Sequence, residues 1–285
     1  MKKSILRSYL FLLPCLLLLT AAELIFLEIR GTVGSLSMST VQSEAFRAMD
    51  LSEGTYEKVL KEAERTGEEP EEILAVSMVL HRFSLTPFRV ESSARYRRAK
   101  KLLLDYREDA YNQLLEAYRS VWEGAENFPV ARSVRLPEDF SYEDGWMQPR
   151  SYGGKRSHEG CDIFGSVQEA GYYPVLSVCG GYVEHIGWLT LGGYRIGIRS
   201  DAGGYFYYAH LSSYAREFTV GERVWAGELL GYLGDSGYGS EGTAGQFPPH
   251  LHFGIYVSTE KSPEISVNPY PVLRYLEKNV RKFAF

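Results

Sequence analysis

The longest apolar stretch of the chain lies close to its N-terminus. A mainly apolar run occupies residues 9–22 and resumes after Glu23 at residues 24–27. These residues, about 19 in all, are just enough to cross a bilayer as a helix. Lys2, Lys3 and Arg7 precede the run, and positive charge on that side predicts a cytoplasmic N-terminus with the remainder of the chain outside. The pattern therefore predicts a cytoplasmic tip and a transmembrane signal-anchor in residues 1–30.

Thr20, Ala21 and Ala22 leave one alternative open, because small residues at this place are typical of a signal-peptidase site. Cleavage there would give a secreted form. Apolar residues resume directly beyond the alanines, which is unusual after a cleavage point. We therefore expect a retained, single-pass anchor in the cell membrane with the rest of the chain extracytoplasmic.

Residues 31–128 are rich in charge, with apolar residues at helical spacing. An i, i+3, i+4, i+7 pattern predicts one helix through Tyr56, Val59, Leu60 and Ala63. Proline and acidic residues just before Ile73 predict the start of another. Residues 96–122 predict a long amphipathic helix with, on one stripe, Leu103, Tyr106, Ala110, Leu114, Ala117 and Val121. The simplest role of this helical module is a spacer. The alternative is that it binds a protein partner or covers a cleft.

The second half of the chain has a different composition. The 28 glycines and many short β-type runs separated by turns predict a β-rich domain in residues 146–285, ending in a C-terminal helix. Prolines and polar residues between the two regions predict a linker at 129–145. A net charge of −5 gives no basis for nucleic-acid binding, so we expect no nucleic-acid partner.

Four of the six histidines fall in three short motifs of the second half, and these predict a catalytic metal site. His158 and Asp162 are four residues apart and can converge on either a helix or a strand. The following Ile163 and Phe164 favour a strand. Gly160 lies between the two on the same face of an extended segment, and its missing side chain leaves room for an ion.

The other two motifs place histidines at the start and end of predicted strands. His250 and His252 point to one face of a strand, with apolar residues facing the other way. His210 follows a run of tyrosines. Histidine and carboxylate in this combination suit zinc, with one coordination position left open for water. His81 and His185 have no partner at ligand spacing, and we expect both to be structural.

In these motifs the sequence resembles the M23 family of zinc metallopeptidases, the lysostaphin or LytM-type endopeptidases of peptidoglycan. The resemblance covers about residues 146–275, and its motifs occur in the family's order. They are HxGxDI at 158–163, YAHLS at 208–212, VGERVxAG at 220–227, LGYLG at 230–234 and HLHFG at 250–254. It implies an α+β multidomain chain, with the N-terminal helix and helical module followed by a mainly antiparallel β peptidase domain.

The resemblance also implies the roles of the site residues. One Zn²⁺ per chain would be held by His158, Asp162 and His252. His210 and His250 would be catalytic, with His250 the expected general base and His210 its partner in orienting water or stabilising the intermediate. A tyrosine that stabilises the transition state is expected at Tyr152, with Tyr142 and Tyr173 as the alternatives.

The function implied is a zinc-dependent endopeptidase that hydrolyses peptide bonds in peptidoglycan stems or cross-bridges during cell-wall remodelling. The competing hypothesis is a catalytically silent wall-binding or scaffold protein that recruits or activates another hydrolase. Silent relatives are expected to lack metal or base residues, and all are present here. Fold alone does not confer activity.

The cysteines carry one further hypothesis. In the resembled fold the strand that ends at Cys179 runs close to the strand of the metal motif, so Cys161 and Cys179 are candidates for a disulfide in an extracytoplasmic protein. Two buried free thiols are the alternative.

Overall fold

The computed structural model describes residues 2–87, 90–135, 140–151 and 154–285. The N-terminal half is mostly helical. Its helices and two short strands are α1 (Lys2–Val33), α2 (Glu44–Arg47), β1 (Asp50–Leu51), α3 (Thr55–Thr66), α4 (Pro70–Leu80), β2 (Ser84–Leu85) and α5 (Ser93–Trp122).

The C-terminal half is built from strands and one short helix. In chain order its strands begin with β3 (Arg132–Ser133), β4 (Phe140–Tyr142), β5 (Pro149–Arg150), β6 (Arg156–Ser157), β7 (Cys161–Gly165), β8 (Pro174–Leu176), β9 (Gly181–Leu189) and β10 (Gly193–Ser200). The remainder are β11 (Tyr205–Tyr214), β12 (Arg223–Val224), β13 (Leu229–Leu233), β14 (His250–Thr259), β15 (Ser262–Val267), α6 (Tyr270–Leu276) and β16 (Lys282–Phe283).

Ten of these strands form one sheet, and every pairing within it is antiparallel. Its main path runs β12-β9-β10-β11-β14-β7-β4, with β13, β8 and β15 paired off that path. In the register of the central strands, His252 of β14 lies opposite Asp162 of β7 on one side and Ala209 of β11 on the other. The predicted class, helices followed by a mainly antiparallel β domain, is confirmed.

The helix α1 is the one described helix that is long and apolar enough to span a membrane. Its apolar stretch, Leu12–Val33, has a mean hydropathy of 2.2 in its most apolar window, and none of that window is buried, whereas Thr32 and Val33 at its end are buried against the remainder of the chain. Near its end, Glu28 forms an ion pair with Arg98 of α5 (Oε2 to Nη2, 2.9 Å). The helix therefore joins the helical module at its C-terminal end.

The helical predictions hold in outline. Helix α4 begins at Pro70, as the sequence predicts, and α3 buries Tyr56, Val59 and Ala63. The predicted stripe of α5 fails at Tyr106, which is 57% exposed. The next residue, Arg107, has a non-helical backbone (φ −146°, ψ 35°), so the helix kinks there and the helical register assumed from the sequence is interrupted.

The helical module and the sheet share one continuous apolar core. Phe46 of α2 is fully buried and packs edge-on against Tyr118 of α5, with ring centroids 5.2 Å apart. Where α5 meets the β10–β11 turn, a Cβ on Gly204 would lie only 1.8 Å from the main-chain oxygen of Ser120. Only glycine permits that close approach. Among the described residues none of 31–128 lines the groove described below, so the module does not cover it.

The segment expected to be a linker contains ordered strands in its described part. Strand β4 pairs with β7, and β3 pairs with β16 near the C-terminus. The boundaries proposed from the sequence for the anchor, module, linker and peptidase domain stay predictions. The disulfide hypothesis is not supported, because Cys161 and Cys179 are both buried free thiols.

Candidate metal centre and substrate groove

A groove of about 900 Å³ lies across one face of the large sheet. Side chains alternate between the two faces of a strand. Leu251 and Phe253 of β14 are therefore fully buried in the core, while His250 and His252 line the groove. The same alternation further along β14 and on neighbouring strands supplies its floor, which includes Asp162, His185, Arg195, Tyr205, Tyr207, Ala209 and Tyr256.

Three side chains predicted as metal ligands converge in this groove. Asp162 Oδ1 lies 3.0 Å from His158 Nε2 and 3.0 Å from His252 Nδ1, and the two histidine nitrogens are 3.1 Å apart. Ligand atoms at zinc distances of about 2.0–2.1 Å in a tetrahedron are about 3.4 Å apart. The triangle is therefore close to the size that a zinc ion requires, and the three side chains could hold one.

Two local features position this triangle. His158 lies in the loop between β6 and β7, not on the strand itself as the sequence suggested, and its Nδ1 donates a hydrogen bond to the oxygen of Gly145 (3.0 Å). That bond fixes the tautomer, so Nε2 faces Asp162. At Gly160, a Cβ would lie 2.5 Å from Cε1 of His252. The space left by the glycine is thus filled by the His252 ring, which corrects the expectation of a gap for the ion.

The carboxylate of Asp162 is held ionised. Burial raises its pKa, but hydrogen bonds from His158 and His252 and the charges of the neighbouring histidines outweigh burial, so the pKa lies well below its usual range. Its second oxygen, Oδ2, accepts a hydrogen bond from Arg150 Nη2 (2.5 Å). Oδ1 is left to the metal triangle.

The two remaining predicted histidines stand beside the triangle and are held in defined tautomers. His250 Nδ1 donates to the oxygen of Pro248 (2.9 Å), and His210 Nδ1 donates to the oxygen of Ser236 (2.8 Å). In each neutral ring the Nε2 lone pair is then available. His250 Nε2 is 3.7 Å from Asp162 Oδ1, and the rings of His210 and His250 are 4.8 Å apart.

Both rings are neutral at pH 7. Burial is the main cause, lowering the pKa of His210 to about 3 with help from the charges of His250 and His252, and lowering the pKa of His250 as well. His210 also has a positive φ of 61°, which is uncommon for a side-chain-bearing residue. Such backbone conformations concentrate at functional sites.

The three predicted tyrosine candidates have different outcomes. Tyr152 lies outside the described residues. Tyr142 donates its hydroxyl to Glu277 (2.9 Å), and the Tyr173 hydroxyl accepts from the amide of Val167 (3.0 Å). Neither of these two lines the groove. Among the described tyrosines, Tyr238 stacks on His210, with ring centroids 5.9 Å apart.

Sequence reasoning missed several groove residues. His185, expected to be structural, lines the groove and packs edge-on against Tyr205 at 5.7 Å. Arg150, Arg195 and Tyr238 also line it. No local motif marks these positions, because strand pairing between distant segments brings them together.

Comparison with known proteins agrees with the fold and the site. The model of peptidase family M23 matches residues 156–266. A crystal structure from Ruminococcus gnavus ATCC 29149, assigned provisionally as a glycyl-glycine endopeptidase lytM, has a TM-score of 0.73 and 41% identity, covering 86% of this chain and 95% of that chain. Because that coverage exceeds the peptidase region, the likeness includes part of the helical residues.

Two curated relatives match over shorter stretches. The L-Ala–D-Glu endopeptidase of Bacillus subtilis (strain 168) is 42% identical over 168 residues, which are 59% of this chain and 49% of that protein. The glycyl-glycine endopeptidase ALE-1 of Staphylococcus capitis is 32% identical over 120 residues, which are 41% of this chain and 29% of that protein. The chain thus spans half or less of the length of these relatives.

A two-histidine, one-aspartate centre in an antiparallel sheet, with two neutral histidines beside it, defines a metallopeptidase type of site. With the likeness just described, the chain belongs to peptidase family M23.

Proposed function

We propose that this chain is a zinc-dependent endopeptidase that hydrolyses peptide bonds in peptidoglycan stems or cross-bridges. One observation carries the proposal. Three ligand atoms lie within 3.1 Å of one another, and two neutral histidines line the same groove. A groove of about 900 Å³ is large enough for several residues of an extended peptide.

His158, Asp162 and His252 would hold the metal. Their donor set of two imidazoles and one carboxylate is of the kind found in catalytic zinc sites, and it leaves a position open. When bound, Zn²⁺ supplies Lewis-acid polarisation of a carbonyl and activation of water at neutral pH. The bond from His158 to Gly145 and the bond from Arg150 to Asp162 orient two of the three ligands from behind.

His250 is the proposed general base. Its Nε2 carries the free lone pair, lies close to the metal triangle, and belongs to a ring that burial keeps neutral. A neutral imidazole can accept a proton from the attacking water and later pass one to the leaving amine. His210, with the same tautomer, is the proposed partner that orients water and donates toward the developing charge once protonated. Tyr152 stays a sequence-based candidate for a further donor.

The two curated relatives suggest two classes of substrate bond. The Bacillus relative carries the name of an L-Ala–D-Glu endopeptidase, and the Staphylococcus relative that of a glycyl-glycine endopeptidase. A stem peptide and a glycine cross-bridge are therefore both candidates.

The enzyme is proposed to act outside the cytoplasm, anchored by α1. Support comes from the apolar stretch Leu12–Val33, which is exposed except at its end and is preceded by basic residues. The helical module would carry the catalytic sheet from that anchor. Its contacts with the sheet, such as Arg47 Nε donating to the oxygen of Ser266 in β15 (2.9 Å), favour this structural role over docking of a separate protein. We expect the chain to resist alkaline extraction from membranes. Its mass should show an intact N-terminus. A chain that begins just after Ala22 would instead support the secreted form.

The activity is tested with the full-length chain in detergent and purified peptidoglycan sacculi. We expect the chain to release soluble peptides. Treatment with a zinc chelator should abolish this release, and adding Zn²⁺ should restore it. The masses of the fragments identify the bond. A chain that binds zinc yet releases nothing from sacculi of several wall types would favour the silent, recruiting protein.

A further inference from the structure

One guanidinium in the groove has an unsatisfied nitrogen. Arg195 of β10 lines the groove, and its Nη1 is buried with no hydrogen-bond partner. The structure gives Arg195 no ion pair with any residue it describes. The residue as a whole is half-buried, and a buried polar nitrogen without a partner calls for a missing ligand or a functional role.

The neighbours of Arg195 do not neutralise it. Three tyrosines lie within electrostatic range, Tyr205, Tyr207 and Tyr214, and burial raises the pKa of each, to about 12 for Tyr207, so all are uncharged phenols at pH 7. Two glutamates also line the groove. Glu159 is engaged by Arg47 (Oε1 to Nη2, 3.0 Å), and Glu264 is exposed to solvent and makes no ion pair with Arg195. A positive charge is therefore left for a ligand.

A second arginine of the same strand shows what a satisfied partner looks like. Arg199 lies four residues further along β10, so its side chain leaves the same face. It forms hydrogen bonds with both carboxylate oxygens of Glu184, including Nη2 to Oε1 at 2.7 Å, and does not line the groove. The contrast locates the unbalanced charge at the groove and not along the whole strand.

Arg195 is placed within reach of a peptide bound at the metal triangle. On the groove face, Gly197 pairs with Tyr207. Two residues further along each strand, where the register shifts between Tyr194 and Ile196, lie Arg195 and Ala209, and both line the groove. Ala209 in turn pairs with the ligand His252. Arg195 is thus two strands away from His252, on the order of 10 Å between main chains at about 4.8 Å per strand. Because the side chain of Ala209 is small, the groove between Arg195 and His252 is left open for a peptide.

We propose that Arg195 binds a carboxylate of the substrate beside the cleaved bond, so that the enzyme selects an acidic stem peptide over a glycine bridge. The inference rests on the proposed endopeptidase function. A glutamyl residue has an α- and a γ-carboxyl group. Whichever of the two forms the bond to the next residue, the other remains a free carboxylate. A glycyl-glycine segment offers no such group. Arginine is suited to the task because its planar fork pairs with both oxygens of a carboxylate.

The test compares two peptides that differ in one group. Both contain L-alanine joined to a γ-linked D-glutamyl residue followed by L-lysine; one has a free α-carboxylate and the other its carboxamide. The full-length zinc enzyme is expected to cleave the carboxylate peptide with a kcat/KM about 10- to 100-fold higher, the range of a charge-assisted hydrogen bond. In Arg195→Gln this preference should vanish, through loss on the carboxylate peptide with the amide peptide changed less than about twofold.

Arg199→Gln is the matched control, and it should keep the wild-type preference. Zinc content is measured for each variant and should be unchanged. Equal losses on both peptides in Arg195→Gln would overturn the proposal in favour of a structural role, and so would a wild type that does not discriminate.

A pentaglycine peptide distinguishes failure of the carboxylate site from failure of the proposed endopeptidase function. Cleavage of pentaglycine with both glutamyl peptides spared would keep the endopeptidase and overturn the carboxylate site. Failure to cut any of the three peptides or the sacculi would overturn the proposed function itself.

Discussion

Arg150 and Asp162 form the contact that ties the metal triangle to the surrounding protein. Arg150 Nη2 donates to Asp162 Oδ2 at 2.5 Å, while Oδ1 of the same carboxylate faces His158 and His252 at 3.0 Å. The two oxygens of one carboxylate thus have separate partners. Arg150 belongs to the short strand β5, outside every motif that identifies the family in the sequence.

Replacing Arg150 tests whether this contact matters. Loss of an outer partner of a metal ligand commonly costs about 10- to 100-fold in metal affinity or activity. We expect Arg150→Ala to lower zinc affinity, kcat or both, with a combined loss of about 10- to 100-fold. Competition with a chelator measures the zinc affinity, and peptide release measures kcat. Arg150→Lys keeps the charge but not the directed geometry and should lie between. Wild-type values for both properties in Arg150→Ala would show that the contact is incidental.

Gly160 should not tolerate a methyl group. Because a Cβ there would meet the His252 ring at 2.5 Å and the oxygen of Phe253 at 2.8 Å, Gly160→Ala must displace the ring of His252, a proposed zinc ligand. We expect weaker zinc binding and a loss of about 1–3 kcal/mol in the free energy of unfolding. Gly180→Ala is the control, since its nearest atom would be Arg223 Nη2 at an ordinary 3.4 Å. Equal zinc affinity in the two variants would contradict the packing described.

The buried thiols give a prediction that depends on pH. Burial raises the pKa of Cys161 and of Cys179 far above the usual thiol range, so neither should react with a thiol reagent at pH 8 in the folded chain. In a Cys15→Ser background, no thiol should react before denaturation and two should react after it without reductant. None after denaturation would establish the disulfide that the structure lacks.

The same shifts set the sign of a stability change. A thiol whose pKa is raised in the folded state ionises only in the unfolded chain, so the free energy of unfolding should fall as pH rises above about 8.5. Urea unfolding at pH 7.5 and 9.5 measures this decline. Replacing both buried cysteines by alanine should reduce it.

The shared core predicts that helical module and sheet unfold together. Phe46 is fully buried against Tyr118, and Phe46→Ala should cost about 3–5 kcal/mol. Met38→Ala, at a residue of the same module that is 42% exposed, should change stability by less than about 0.5 kcal/mol. If the core is shared, Phe46→Ala should shift the unfolding of the helices and of the sheet together. Separate transitions for the helices and the sheet would mean that the module is an independent spacer.

The sequence predicts the parts of this site that lie in local patterns. His250 and His252 on one face of a strand follow from the two-residue period of β-structure, and Leu251 and Phe253 in the core follow with them. Pro70 at the start of α4 follows from helix-capping chemistry. Each of these features depends on residues only a few positions apart, so a short stretch of sequence is enough to predict it.

The parts that sequence could not predict depend on strand order and on breaks in regular structure. Arg195 reaches the groove only because β10, β11 and β14 are neighbours, an order that no local pattern records. The sequence places Tyr106 on the buried stripe because the kink at Arg107 has no proline or glycine to signal it. His185 lies beside Glu184 in sequence (Nδ1 to Oε1, 4.0 Å), but its neighbour in the groove, Tyr205, belongs to a different strand that no local pattern brings to it.

The most direct test of the account is zinc content and peptidoglycan cleavage measured side by side for the wild type, Asp162→Ala and His250→Ala. We expect about one zinc and peptide release for the wild type, loss of both in Asp162→Ala, and retention of zinc with loss of release in His250→Ala. Cleavage by His250→Ala at the wild-type rate would contradict the assignment of His250 as the general base. Cleavage by Asp162→Ala without zinc would contradict the metal centre itself.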